Sequence, residues 1–258
     1  MADLAAAVAQ VAREAGALAL ARWRTDVESW SKADASPACE IDLAVDRMLR
    51  ARLSAIAPDA GWLSEETADS ADRLTRSRVW VIDPIDGTRD YLRGRRGWAV
   101  SIALVEDGEP VLGVLDAPAR GEHWVATRGG GATRNGTALH ASARRGLAGA
   151  RVPADALPRI DRDFVAVDKP NGIALRIAMV AADEADLVAT LRWGHEWDVA
   201  AAVLIAGEAG AGVSDALGAP LRFNRPDPRA FGVIAAAPGI HAAAVTRIAD
   251  RARQVLDG

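Results

Sequence analysis

The sequence predicts an α/β chain in two parts, an α+β first half and an α/β second half, on three observations. Two stretches near the start carry apolar residues at helical spacing. Five short runs with strand-like composition follow, between residues 61 and 127. Beyond residue 162 helical and strand patterns alternate, the order expected of helices layered on a sheet.

In chain order, residues 4–22 place Leu4, Val8, Val11, Ala15, Leu18 and Arg22 on one helical stripe. A second helix is expected over 41–56, with Val45, Met48, Leu49 and Leu53 inward and Pro58 past its end. "GWLSEE" and "RVWVID" read as short strands that each end on acids. "GWAVSIALVED" and "PVLGVLDAP" form a hairpin through Asp107-Gly108, and "GEHWVAT" extends it antiparallel. Over 141–162 the composition shifts to Ala, Arg, Gly and Pro, which places a boundary between parts 1–145 and 146–258. The second part reads as strand "DFVAV", a helix over 172–182, strand "ADLVATL", a helix over 197–209, strands "AGVSD" and "FGVIAA", and a last helix after Pro238.

Composition narrows the functional classes. Half of the 258 residues are apolar and 26% are charged, enough for a sizeable core. A net charge of −4 argues against a polyanion binder. Cys39 is the sole cysteine, which excludes an internal disulfide and a thiolate cluster, so a bound metal would sit on oxygen. Apolar runs are broken by Gln10, Arg13 and Glu14 near the start and by Glu208 near the end, so no membrane span is expected. The start of the chain, with Asp3 and no basic lead-in, does not read as a signal peptide, and a cytoplasmic location is expected.

The informative acids stand at strand ends. In "VWVIDPIDGTRDY", residues 79–91, an apolar run is expected to end on Asp83, with Asp86 three positions on across Pro84 and then Gly87-Thr88. Glu65 and Glu66 end another strand, and Asp198 opens a late helix. With no lysine or arginine expected beside them, such acids repel unless a cation intervenes, and Mg²⁺ with its hard oxygen ligands suits them. A helical turn entered at Asp86 would turn the Gly87 and Thr88 amides toward a phosphate. Taken singly, each feature also fits plainer roles: a connector turn, an N-cap for Asp198, solvated charges for Glu65 and Glu66.

Together, "LSEE", "DPIDGT" and "WDVAAAVLIAGEAGAGVSD" resemble, in order and over nearly the whole chain, the signature segments of the inositol monophosphatase superfamily of Mg²⁺-dependent, Li⁺-sensitive phosphatases. The resemblance implies an alternating α/β/α/β/α sandwich and about two to three Mg²⁺ per site. By resemblance Glu65, Asp83 and the Ile85 carbonyl hold a first ion, and Asp83, Asp86 and Asp198 a second. Glu65 also orients water at a further site, Thr88 and Asp42 act together as the base toward the attacking water, and Glu66 supports Glu65. The reaction implied is direct in-line hydrolysis of a phosphate monoester without a phosphoenzyme. Two positions depart from the family pattern, Cys39 for Thr and Asn171-Gly172 for Gly-Ser, both expected to face substrate.

Features bearing on substrate resemble the bacterial 3′(2′),5′-bisphosphate nucleotidases: Arg89-Asp90-Tyr91 after the loop, "SKADASP" at 31–37 and "LVEDGEPVLGVLDAP". Inositol-specific relatives carry a polyol-binding Glu where this chain has Leu191, and an apolar side chain leaves such hydroxyls unpaired. Arg95 and Arg96 are candidates for a second phosphate, or else belong to a solvated charge run. Lys32 sits on a loop expected either to close over the site or to be an ordinary surface loop, and His195 is expected in packing or at the pocket rim. The expected partner is a small phosphorylated metabolite, a nucleotide bisphosphate or alternatively an inositol or sugar phosphate. Neither membrane nor nucleic acid is expected, although "RGRRGW" leaves a non-catalytic binder as a rival, and homodimers are common among relatives.

Overall fold

The computed structural model describes residues 1–32 and 36–257. Of "SKADASP", Ala33, Asp34 and Ala35 therefore lie outside the described residues. Helix α1 (Ala2–Arg22) is followed by a short hairpin of β1 (Ser29–Ser31) and β2 (Pro37–Cys39) and by α2 (Glu40–Ile56). Strands β3 (Gly61–Ser64) and β4 (Arg78–Asp86) then lead into the one-turn helix α3 (Thr88–Leu92). A meander follows: β5 (Ala99–Glu106), β6 (Glu109–Ala117), β7 (Glu122–Thr127), β8 (Gly131–Arg134) and β9 (Thr137–Ala138). The remainder runs β10 (Arg151–Pro153), β11 (Val165–Val167), α4 (Ile173–Ala181), β12 (Leu187–Ala189), β13 (Trp193–His195) and α5 (Glu196–Glu208). It ends with β14 (Gly212–Ser214), β15 (Arg229–Phe231), β16 (Ile234–Ala236) and α6 (His241–Asp257).

Five layers result. Strands β3 to β9 form one seven-stranded sheet in chain order, parallel between β3 and β4 and antiparallel elsewhere. Because side chains alternate across a strand, Trp80, Ile82, Val100 and Ile102 face α1 and α2, while Val79, Val81, Ala103 and Leu115 face α4 and α5. A three-stranded sheet, β12-β16-β14, covers the far side of α4 and α5, and α6 closes the stack through Ala244 and Ile248. This is the α/β/α/β/α order that the resemblance implied.

One expectation needs correction. α1 is long and apolar enough to cross a bilayer by length and composition, despite Arg13 and Glu14. In the fold it is a core helix, burying Val8, Val11, Ala12, Ala15 and Ala19 with α2 and the sheet. The hydrophobic core also runs across the expected boundary at residue 145. A single cluster joins Leu63, Val79 and Leu115 to Ala178, Val199 and Ile205, because α5, uncharged from Val199 to Gly207, lies between the two sheets.

Candidate active site

The strand does not end on Asp83. β4 continues to Asp86, but its register against β5 slips: Asp83 pairs with Ser101 and Asp86 with Ala99, so three steps on β4 match two on β5. In a regular strand residues three apart face opposite sides. One extra residue at a bulge restores the parity and turns both acids to the same cavity. The Ile85 N–H donates to Asp83 Oδ1 at 3.0 Å, and its carbonyl oxygen lies 3.0 Å from Thr88 Oγ1, an alternative acceptor for that hydroxyl. Gly87 then turns with φ 95°, and a Cβ there would lie 2.5 Å from the Gly97 carbonyl oxygen, so the turn needs glycine for conformation and for space.

α2 supplies the partner of Thr88. Asp42, fully buried in its first turn, accepts from Thr88 Oγ1 at 3.2 Å through one oxygen. Its other oxygen accepts from the Cys39 amide and thiol at 2.8 and 2.9 Å. Burial pushes the Asp42 carboxyl up to about 7, against those two donors and with help from the charges of Glu66 and Glu65. Cys39 is fully buried and outside the cavity lining; it caps α2 and holds Asp42. Burial, together with Asp42, drives its thiol up to about 12, so Cys39 is expected to resist thiol reagents such as DTNB until the chain unfolds, which a titration with and without denaturant checks.

Glu65, Asp83, Ile85, Asp86, Gly87, Thr88 and Asp198 line one cavity of about 810 Å³, with Lys32, Asn171 and His195. Asp86 accepts from the Ile173 and Ala174 amides at 3.0 and 2.8 Å, so it also caps α4. A Cβ at Gly172 would lie 2.5 Å from Asp86 Oδ2, which explains why that position is glycine. Asp198 accepts from the His195 amide at 2.7 Å, so it fills both its roles, cap and cavity acid. Burial and neighbouring charge raise the acids together. Asp86 sits at about 6, held down by the α4 amides and Arg176, and Asp198 at about 7. Asp83 lies well above the usual carboxylate range, through burial first and then Glu65, Asp86, Asp198 and Asp42.

The acids are not without a cation, as the sequence suggested. Lys32 Nζ bridges Glu65 at 2.8 Å and Glu66 at 2.5 Å, and their charges outweigh its desolvation and raise its pKa. Among the described residues no three acid, histidine or cysteine side chains close on one point tightly enough to hold an ion as placed. Glu65 is drawn to Lys32, Asp86 to α4, and Asp198 to the His195 amide. The donor set nonetheless fits a hard divalent cation. Asp83 is 2% exposed, takes one amide donor and faces four other carboxylates, an arrangement that added positive charge relieves.

Arg95 and Arg96 are exposed and outside the cavity lining, and Leu191 packs with Leu187 and Ile234 instead of facing it. Besides Lys32, the cations that line it are Arg89, Lys169, Arg176 and Arg192; the sequence drew on Arg89 as a feature bearing on substrate and did not single out the other three. His195 stacks on Trp197, rings 6° apart with centroids at 4.3 Å. Asp46 was also missed. It accepts from Ser64 Oγ at 2.5 Å and Thr67 Oγ1 at 2.6 Å, and so pins both flanks of Glu65-Glu66 to α2. The available signal was its spacing, four residues after Asp42 on the buried face of that helix.

The sequence profile of the inositol monophosphatase family matches residues 1–254. The chain is 37% identical over 201 residues to a Streptomyces griseus protein named glucose-1-phosphate thymidylyltransferase, covering 72% of this chain and 76% of that one. It is 30% identical over 236 residues to the 3′(2′),5′-bisphosphate nucleotidase CysQ of Aggregatibacter actinomycetemcomitans, covering 84% and 86%. In three dimensions it matches the solved Thermotoga maritima IMPase with a TM-score of 0.84 at 28% identity, over 96% and 97% of the two chains. With its bulged acid strand and Asp–Thr pair on this five-layer frame, the chain belongs to the inositol monophosphatase family, whose members are phosphoric monoester hydrolases.

Proposed function

We propose that this phosphatase acts on a nucleotide bisphosphate, releasing the 3′-phosphate of 3′-phosphoadenosine 5′-phosphate to leave AMP. The supporting observation is the charge on the cavity lining: Arg89, Arg176 and Arg192, and Lys169 in an ion pair with Asp155, accompany the acids. One phosphate at the acids would not occupy all three arginines. Arg176 is 8% exposed, with an Nε that finds no hydrogen-bond partner, so a second anion would satisfy a donor already desolvated.

The chain's own groups provide the rest of the mechanism. Glu65, Asp83, Asp86, Asp198 and the Ile85 carbonyl would hold Mg²⁺, which when bound lowers the pKa of water and neutralises charge on the phosphoryl and leaving oxygens. Thr88 Oγ1 donates its proton to Asp42 Oδ1 and so presents lone pairs to an incoming water. The water's proton passes by way of Thr88 toward Asp42, whose raised pKa near neutrality suits a base that must accept and then release it. Gly87 and Thr88 amides face the phosphate at the turn.

The test is phosphate release in Mg²⁺, side by side, from 3′-phosphoadenosine 5′-phosphate and inositol 1-phosphate, with an EDTA control. The expected result is a kcat/KM at least about tenfold higher for the nucleotide, a difference of 1.4 kcal/mol in transition-state binding. Equal or reversed preference would overturn the proposal and return the polyol reading.

A further inference from the structure

We infer that Trp193 is the stacking surface for the planar base of the leaving nucleoside, a subsite that rests on the nucleotide reading above. Among the large apolar side chains that the described residues leave exposed, Trp193 alone lines the cavity. It is 52% exposed. An indole left half in water at the mouth of a charged cavity forfeits burial that a flat aromatic ligand would restore.

The indole is held in place from behind. On the two-stranded ribbon of β13 and β15 it pairs directly with Phe231, whose ring meets it edge-on at 5.4 Å and 60°. The Arg229 guanidinium lies 5.3 Å from its ring centre and is itself fixed to Asp227 at 2.8 Å. An aromatic side chain with few free torsions, braced by a second ring and a pinned cation, loses little entropy when a base stacks on it.

Its neighbours on the lining define the ligand class. Arg192 precedes it in the chain, Arg176 and Lys169 line the same cavity, and these cations stand beside the acids, Arg176 near enough to Asp86 and Arg192 near enough to Asp198 to favour their charged forms. A ligand that satisfies all three features carries one phosphate at the acids, a second anion at the cations and a planar ring at the mouth. A polyol or sugar phosphate lacks the ring, and an aryl monophosphate lacks the second anion. A nucleoside bisphosphate has both.

The experiment compares wild type, Trp193→Ala and Trp193→Phe, with thermal melts to verify folding. The quantity read is the ratio of kcat/KM for 3′-phosphoadenosine 5′-phosphate over that for glycerol 2-phosphate, which has no ring. Stacking predicts that Trp193→Ala lowers this ratio about tenfold, mainly through the KM of the nucleotide, and that Trp193→Phe recovers most of it. A wild type that prefers the nucleotide while Trp193→Ala leaves the ratio unchanged would overturn the subsite and spare the nucleotidase reading. A wild type with no preference for the nucleotide would overturn that reading and the subsite with it.

Discussion

Asp83→Asn is expected to stabilise the metal-free protein at pH 8 while cutting Mg²⁺-dependent phosphate release about a thousandfold. The two effects have one origin. Asp83 is almost fully buried, with Glu65, Asp86, Asp198 and Asp42 all raising its pKa, so its charged form is disfavoured when no cation is present. Asparagine removes that charge yet keeps an oxygen for the Ile85 amide, so the bulge need not rearrange. The same change withdraws a central acid from the metal-binding set. Loss of several kcal/mol of transition-state stabilisation, at 1.36 kcal/mol per tenfold, gives the expected drop in rate. Melting curves in EDTA and phosphate release in Mg²⁺ are the two readouts. A variant that melts lower and stays active would mean that Asp83 is a structural acid. Asp86→Asn is a less clean probe, because Asp86 also caps α4 through two amides and its loss would mix folding with chemistry.

Most of the scaffold was legible because its elements obey simple periods. The helices of the first part, the Asp107-Gly108 hairpin and the alternation after residue 162 follow directly from residue spacing. The errors at Asp83 and in α1 are of another kind. A bulge leaves no periodic trace when proline and a buried isoleucine fill it, so the apolar run looked finished one bulge too early. α1 shows that length and composition alone do not distinguish a bilayer span from a core helix; the fold does, by burying its alanine and valine face. Among candidate site residues, the acids could be proposed because three segments occur together in the order of a family pattern, although each alone fits a plainer role. Lys32, Arg176 and Arg192 reach the same cavity from separate elements, and no local pattern links them. Asp46 and Cys39 act through hydrogen bonds that only the packing of α2 against β3 and α3 reveals.

Glycine at 172 shows how a departure from a family pattern can be structural. Asp86 is held against the start of α4 so closely that a side chain at 172 would collide with its carboxylate. Asn171 in turn donates its amide to Asp90 at 3.1 Å, so the segment is clamped to the loop that carries both Asp86 and Thr88. A position expected to face substrate is, at Gly172, one where the two halves of the site are fastened together.

The metal-free protein is also expected to lose stability as pH rises from about 5 to 8, and Mg²⁺ is expected to restore it. Asp86 sits at about 6, Asp42 and Asp198 at about 7, and Asp83 higher, all raised above their unfolded values. Within that window the folded chain therefore binds more protons than the unfolded one, and the sign of the linkage makes stability fall with pH. Each acid removes up to about 1.4 kcal/mol per pH unit while it titrates, and mutual coupling spreads the loss, leaving an expected total on the order of a few kcal/mol. Asp186 and Asp227, lowered to about 2, act with the opposite sign but below this window, and Lys32 acts above it; His241, lowered by burial, opposes the trend within the window as one group against four. A divalent cation needs the deprotonated acids, so its stabilisation grows over the same range in which theirs is lost. Glu196 supplies an internal control. Burial raises it to about 7, yet its oxygens accept from the Asn224 and Arg225 amides at 2.6 and 3.0 Å and are not among the cavity groups. Its share of the pH dependence should persist in saturating Mg²⁺, whereas that of the cavity acids should vanish. Melting temperatures at pH 6 and pH 8, each in EDTA and in Mg²⁺, measure both shares. A metal-free protein more stable at pH 8 than at pH 6 would show that the acids are already neutralised from within, by Lys32 and Arg176, and that the cavity has no need of a cation.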